Sequence, residues 1–198
     1  MASSHKEGFD SPPRSMNDIS IFIPFPTLEK IKVGNWYVNT KRISLIYNLN
    51  HSIANRFRKR FVRGFINIGG CNYYLGLLYD NLLIGVLGFS NPDMGNYDIM
   101  LKADTVINYE YLSDLLLYLL RTKDVHLKLC EKFNRKINTA YSMCFTENET
   151  INRYRRHAKL IKKKNKPGGY DLGYLFELNT IPSVKSAIKE WQQKNKIN

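Results

Sequence analysis

The run Arg153-Tyr154-Arg155-Arg156-His157 gathers three guanidiniums around one phenol. Arginines at that density grip phosphates through paired, charge-assisted hydrogen bonds. The phenol of Tyr154 can stack on a base or hand over a proton. Positive charge continues in Lys162, Lys163 and Lys164, read as a cationic loop over 162–166 that closes at Pro167-Gly168-Gly169. A second basic stretch, His51 to Phe65, interleaves Arg56, Arg60 and Arg63 with Phe57 and Phe61. On a helix the two phenylalanines and Ala54 share one face, which reads as core, and the arginines turn elsewhere toward a phosphate backbone. The other reading makes those rings a stacking platform for unpaired bases.

Tyr141 is a second candidate general acid. Cys144 beside it serves as a nucleophile only if its surroundings lower its pKa, and a buried inert thiol is the commoner state. Asp98 and Asp104 are the acidic candidates in the same region. The four histidines, His5, His51, His126 and His157, lack the spacing of metal ligands, so the sequence assigns no metal site.

The bulk composition narrows the partners. Thirty Lys+Arg against seventeen Asp+Glu give a formal charge of +13, which favours a polyanion, DNA or RNA. The 198 residues are 43% hydrophobic, enough for one domain with one core. Cys71, Cys130 and Cys144 make no disulfide framework and no CxxC pair, which suits the reducing cytoplasm. No apolar run reaches the ~18 residues of a membrane span. Residues 1–18 read as a flexible arm and 19–198 as a single domain, with its core at about 73–178 and a C-terminal helix at 183–194.

These side chains need a scaffold, and the hydrophobic pattern supplies one. Residues 19–26 suit a strand or an extended arm, 27–33 a helical turn and 34–38 a short strand. Residues 42–50 suit a helix somewhat better than a strand, and 51–65 form a helix broken by Gly69-Gly70. Two apolar strands follow over Tyr73 to Ser90, turning at Asp80-Asn81. Then come a strand at 97–107, a leucine-rich buried helix at 111–121, a helix at 124–136 and a strand at 137–145. Thr146 and Glu149 match a capping box for a helix running to about residue 158. A strand at 170–178 precedes the last helix, which carries Val184, Ala187, Ile188 and Trp191 on one stripe. The fold class is α/β, a mixed sheet with helices on both faces.

That order resembles the core of the GNAT acyltransferases. More narrowly, the chain resembles the Mom-type DNA-modification proteins of bacteriophages and their phage GNAT-like relatives. The residues that carry the likeness are Tyr74-Leu-Gly-Leu-Leu-Tyr-Asp-Asn-Leu-Leu-Ile-Gly-Val-Leu-Gly-Phe, Tyr111-Leu-Ser-Asp-Leu-Leu, Asn138-Thr-Ala-Tyr-Ser-Met-Cys-Phe and Ile151-Asn-Arg-Tyr-Arg-Arg. The resemblance implies a splay between two strands that accepts acetyl-CoA, with the donor phosphates at the start of the next helix. It implies an acyl-derived group placed on adenine in DNA, anti-restriction protection of a phage genome in the host cytoplasm, and iron. It makes Tyr141 and Tyr154 the neighbours of the reacting base, and Leu87, Gly88, Phe89 and Ser113 the residues that meet the donor. The GNAT pyrophosphate motif Arg/Gln-x-x-Gly-x-Gly/Ala is absent, and Glu110 and Asp114 put carboxylates there instead. That departure speaks for a rival reading, a non-catalytic DNA- or RNA-binding phage accessory protein on the same fold. A third reading, transfer to a protein or small molecule, fits the charge less well.

Overall fold

Among the described residues, seven strands form one mixed sheet to which the helices attach. The computed structural model describes residues 24, 40–62, 69–92, 95, 97–107, 111–148 and 153–195. In chain order the elements are β1 (Ile43–Tyr47), α1 (His51–Phe61), β2 (Tyr73–Tyr79), β3 (Leu82–Ser90), β4 (Ile99–Val106), α2 (Leu112–Leu120), α3 (Lys123–Phe133), β5 (Thr139–Thr146), a 3-10 turn (Arg153–Arg156), β6 (Lys159–Lys166), β7 (Gly169–Glu177) and α4 (Val184–Asn195). The spatial order is β1-β2-β3-β4-β5-β7-β6. Neighbours are antiparallel except β4 and β5, which are parallel.

The hairpin β2–β3 anchors the sheet. Leu78 pairs with Leu83 and Tyr79 with Leu82, so Asp80-Asn81 is a two-residue loop. Asp80 takes φ 51° there, and a positive φ at the first central residue is common to the tight two-residue hairpin turns. Both faces of the hairpin are apolar because both are covered. On one face α1 packs against Tyr74; on the other, Leu116 of α2 reaches Gly85. Leu112, Leu115, Leu116, Leu117, Leu119 and Leu120 are all buried, as an all-round apolar helix requires. Thr122 caps α3 by accepting the Val125 N–H at 3.3 Å, and Asn134 ends the helix in the left-handed region. Trp191 of α4 donates through Nε1 to the Tyr111 carbonyl at 2.9 Å, which ties the last helix to the start of α2.

Three expectations change. Residues 43–47 are a strand, because pairing with Leu75–Tyr79 overrides their weak helical spacing. The helix expected after Thr146 does not begin there: Thr146 stays in β5 opposite Tyr170, and its hydroxyl bonds the Asn148 backbone. Among the described residues of that span Arg153–Arg156 turn helically, and 149–152, with Glu149, lie outside the described residues. The lysines of 162–166 belong to a strand rather than a loop, hydrogen-bonded to β7. The arm at 1–18, the elements expected within 19–38, Arg63 and Glu110 also lie outside the described residues, Pro24 excepted. No helix among the described residues is long and apolar enough to cross a membrane.

Candidate active site

β4 and β5 run side by side for only two pairs, Ile99–Ala140 and Met100–Tyr141, and then part. The Ser142 hydroxyl makes the last link by donating to the Leu101 carbonyl at 3.0 Å. Asp98 holds the vertex. Its Oδ2 accepts the N–H groups of Asn138 and Thr139 at 2.7 and 2.9 Å and the Thr139 hydroxyl at 3.1 Å. Arg135 braces the same corner through the Asp98 carbonyl and Asn91. A bulge opposite Gly88 and Phe89 adds Lys102 to β4, and such a bulge bends its strand.

The gap opens into a cavity of about 1460 Å³. Met100, Leu101, Lys102 and Asp104 line it from β4, and Met143 to Thr146 from β5. Tyr111, Ser113 and Asp114 at the start of α2, Arg153 to Arg156, and Arg58 with Gly69 complete the wall. Both faces of the sheet contribute. Tyr154 packs edge-on against Tyr174 and Phe176, which pair with Ser142 and Ala140, so these residues lie on the α2 face. Strand alternation sends Tyr141, Met143 and Phe145 to the opposite, α1 face.

The chemistry concentrates on the α2 face. Asp104 accepts hydrogen bonds from the Tyr154 hydroxyl at 2.7 Å and from the Arg153 guanidinium. Tyr154 is 5% exposed. Burial first, and then the Asp104 carboxylate, push its phenol far above the usual tyrosine range, so it stays protonated. Burial disfavours the charge of Arg153, but Asp104 and Tyr154 outweigh that and raise its pKa. Deeper in, His157 donates through Nε2 to Asp114 at 2.7 Å, and the Asn195 amide adds a bond at 3.3 Å. Burial works against the Asp114 charge; His157, Asn195 and Arg156 prevail and hold its carboxyl below the ordinary range.

The structure unites some expected residues and separates others. Arg153, Tyr154, Arg155, Arg156 and Ser113 all border the cavity. Tyr141 does not share a site with Tyr154: it is buried on the α1 face, stacked on Tyr97 at 4.4 Å, with its hydroxyl over Gly173. Leu87, Gly88 and Phe89 are not among the residues that line the cavity. They are buried in β3, paired on both sides, and β4 is the strand that meets the opening. A Cβ at Gly88 would come within 3 Å of Cys71, Tyr74 and Ala103, so that glycine serves close packing. Arg56 and Arg60 are exposed on α1. Lys162 and Lys164 lie on the α1 face of β6, and Lys163 lies on the other over the Tyr170 ring.

Arg58 was not singled out by its sequence context, although it stands at i+4 from Ala54 and next to Phe57 on the buried stripe. It is 4% exposed, donates to the Gly69 carbonyl at 2.8 Å and the Tyr74 hydroxyl at 3.0 Å, and has no carboxylate partner among the described residues. No group of three or more His, Cys, Asp or Glu residues able to hold a metal occurs among the described residues.

The phage GNAT-like domain model matches residues 41–196. Among solved structures, a protein assigned to the GNAT acetyltransferases of Desulfovibrio desulfuricans is 12% identical, over 68% of this chain and 98% of that one, with a TM-score of 0.50. An N-acetyltransferase from Lactobacillus plantarum is 11% identical over 69% and 98%, with a TM-score of 0.47. A GNAT family acetyltransferase from Elizabethkingia anophelis with acetyl-CoA bound is 13% identical over 69% and 99%, with a TM-score of 0.40. At these identities the likeness is one of fold. No curated protein matches the chain.

Proposed function

The chain belongs to the phage GNAT-like family, and from that premise we propose that it transfers an acyl-derived group from acetyl-CoA to adenine in DNA, as Mom-type proteins do, and so shields the DNA from restriction. The parting of β4 and β5 carries this reading, because it opens onto a phenol–carboxylate pair rimmed by arginines.

The residues present suit the donor. Arg155 and Arg156 border the cavity beside the first turn of α2, where the positive end of the helix dipole favours phosphate. Asp114 sits in that turn, but His157 and Asn195 already engage its carboxylate. Bound there, acetyl-CoA supplies a thioester carbonyl open to attack by an amine. Tyr154 holds a proton at the cavity wall, and Asp104 accepts its hydrogen bond. An amine that becomes an amide sheds one proton, and the departing thiolate takes one up. Asp104 is the carboxylate suited to the first transfer, and Tyr154, hydrogen-bonded to it, can relay that proton to the thiolate, giving up its own as it takes the one on Asp104. Arg153 keeps Asp104 oriented for both. Adenine must leave the base stack to reach the pair. For iron, implied by the resemblance, the described residues offer no cluster of three His, Cys, Asp or Glu side chains, and no step is assigned to it.

Mass spectrometry of nucleosides from DNA co-expressed with this protein tests the reading without presuming the group transferred. A deoxyadenosine of added mass is expected, and its loss in Tyr154→Phe. Unmodified nucleosides, together with a melting temperature that millimolar acetyl-CoA leaves in place, would refute it. One observation favours the second reading, a non-catalytic DNA- or RNA-binding accessory protein: Asp114 holds a carboxylate where a donor pyrophosphate approaches. Nucleic-acid affinity without donor binding is the result that reading requires.

A further inference from the structure

On the α1 face, where β5, β7 and β6 extend past α1, an apolar strip lies open beside the cavity. Met143 is 55% exposed and Phe145 56% exposed, and both border the cavity mouth. They stand two residues apart on β5, roughly 7 Å along the strand. Gly173 and Asp171 pair with them on β7, and Lys162 and Lys164 pair with those on β6. One row across the sheet therefore reads thioether, glycine, ammonium; the next reads phenyl, carboxylate, ammonium. The one carboxylate, Asp171, is matched by Lys166 at 3.5 Å.

We propose that this face binds an unpaired DNA strand, with its bases on Met143 and Phe145 and its phosphates on Lys162 and Lys164. The inference rests on the acyl-transfer reading for its acceptor and adds the side from which that acceptor arrives. Flat sheet faces bearing exposed rings take single strands because every base has a stackable face. A duplex buries its bases and offers such a strip nothing to stack. A second copy of the chain is a poor occupant, since the contact would bring together two faces of the same positive sign. The outer edge of β6 also resists strand addition, with lysines along it. Because Met143 and Phe145 border the cavity that holds Asp104 and Tyr154, a base lying on the strip is next to the opening between β4 and β5. The donor site on the α2 face and the strand site on the α1 face then meet only through that opening.

Fluorescence anisotropy with a labelled 15-nucleotide DNA strand, its duplex and the same sequence as RNA tests the proposal. The single DNA strand should bind tightest. Met143→Ser/Phe145→Ser should weaken it by roughly thirtyfold or more and leave the salt slope unchanged. Lys162→Gln/Lys164→Gln should flatten the slope by about 1.4, two phosphates at about 0.7 each. Both side-chain pairs are exposed, so the folds should survive; Phe145→Trp should retain affinity, and its fluorescence should be quenched by the strand. Tighter binding to the duplex or to RNA, an unaltered affinity in the serine variant, or a dimer that the serine variant dissociates would overturn it. Modified nucleosides without single-strand binding would sink this inference alone. Single-strand binding without modification or donor binding would sink the acyl-transfer reading alone.

Discussion

Replacing Asp98 by alanine should loosen the vertex of the strand gap and little else. The carboxylate accepts two backbone N–H groups and one hydroxyl, all through Oδ2. Water can replace the bond to Asn138, which is exposed. The two bonds from Thr139 remain, each worth about 1.5 kcal/mol to a charged acceptor at a half-buried position, or about 3 kcal/mol together. For a chain of this size each kcal/mol moves the melting temperature by about 2–4 °C, so Asp98→Ala should melt about 6–12 °C lower. Asp98→Asn keeps an oxygen that can accept both backbone N–H groups without the charge, and should recover about half the loss. Amide hydrogen exchange should locate the damage, with faster exchange at Thr139, Ala140 and Tyr141 and unaltered protection in β2, β3 and α2. A melting change under about 2 °C, or exchange that quickens evenly across the sheet, would refute the assignment of Asp98 as the clamp.

Gly88→Ala should cost about 1–3 kcal/mol in urea unfolding, because the added methyl meets Cys71, Tyr74 and Ala103 within 3 Å. Weakened acetyl-CoA binding at unaltered stability would instead restore Gly88 to the donor site. Asp114 has a lowered folded-state pKa, with burial opposing its charge and His157, Asn195 and Arg156 prevailing. Its stabilisation is therefore complete above the unfolded value of about 3.9 and disappears as pH falls through the lower folded value. Asp114→Asn should be less stable at pH 7 and should lose less than the wild type on acidification; parallel urea-stability curves from neutral to acid pH would count against the pairing.

Much of the scaffold was legible because its strands are continuous apolar runs. Tyr73 to Ser90 could be little else, with a polar pair at its midpoint, and the leucines of α2 exclude a surface helix. The C-terminal half was harder for a physical reason. All eight residues of β6 are exposed, so an edge strand with two wet faces carries no alternation to read. The capping signal at Thr146 was real chemistry in the wrong register: its hydroxyl does bond nearby backbone, but within the end of a strand. In the site, Arg153 and Tyr154 stood out as a charged aromatic cluster. Their partner Asp104 is 49 residues from Arg153, and sequence alone could not show that the two meet. The cavity is lined by β4 and not by β3. Leu87-Gly88-Phe89 has the glycine expected of a backbone-lined pocket, whereas the strand at the opening, Met100-Leu101-Lys102, has none.

The surplus of thirteen positive charges overstates the surface offered to a polyanion. Several cations are committed within the fold. Arg42 pairs with Asp80, Arg153 with Asp104 and Lys128 with Glu131. Arg135 braces the vertex, Arg121 holds Thr180, and Arg58 is buried against Tyr74. Two groups of cations lie on opposite sides of the sheet: Arg155 and Arg156 line the cavity beside α2, and Lys162 and Lys164 lie on the α1 face of β6, two strands from β5. An enzyme that must bring a phosphate-bearing donor and a phosphate-bearing acceptor to one carbon has a use for both. Under the acyl-transfer proposal the two negative charges repel one another, and holding each on its own side of the sheet, with the reacting groups meeting at Asp104 and Tyr154, would keep that repulsion small.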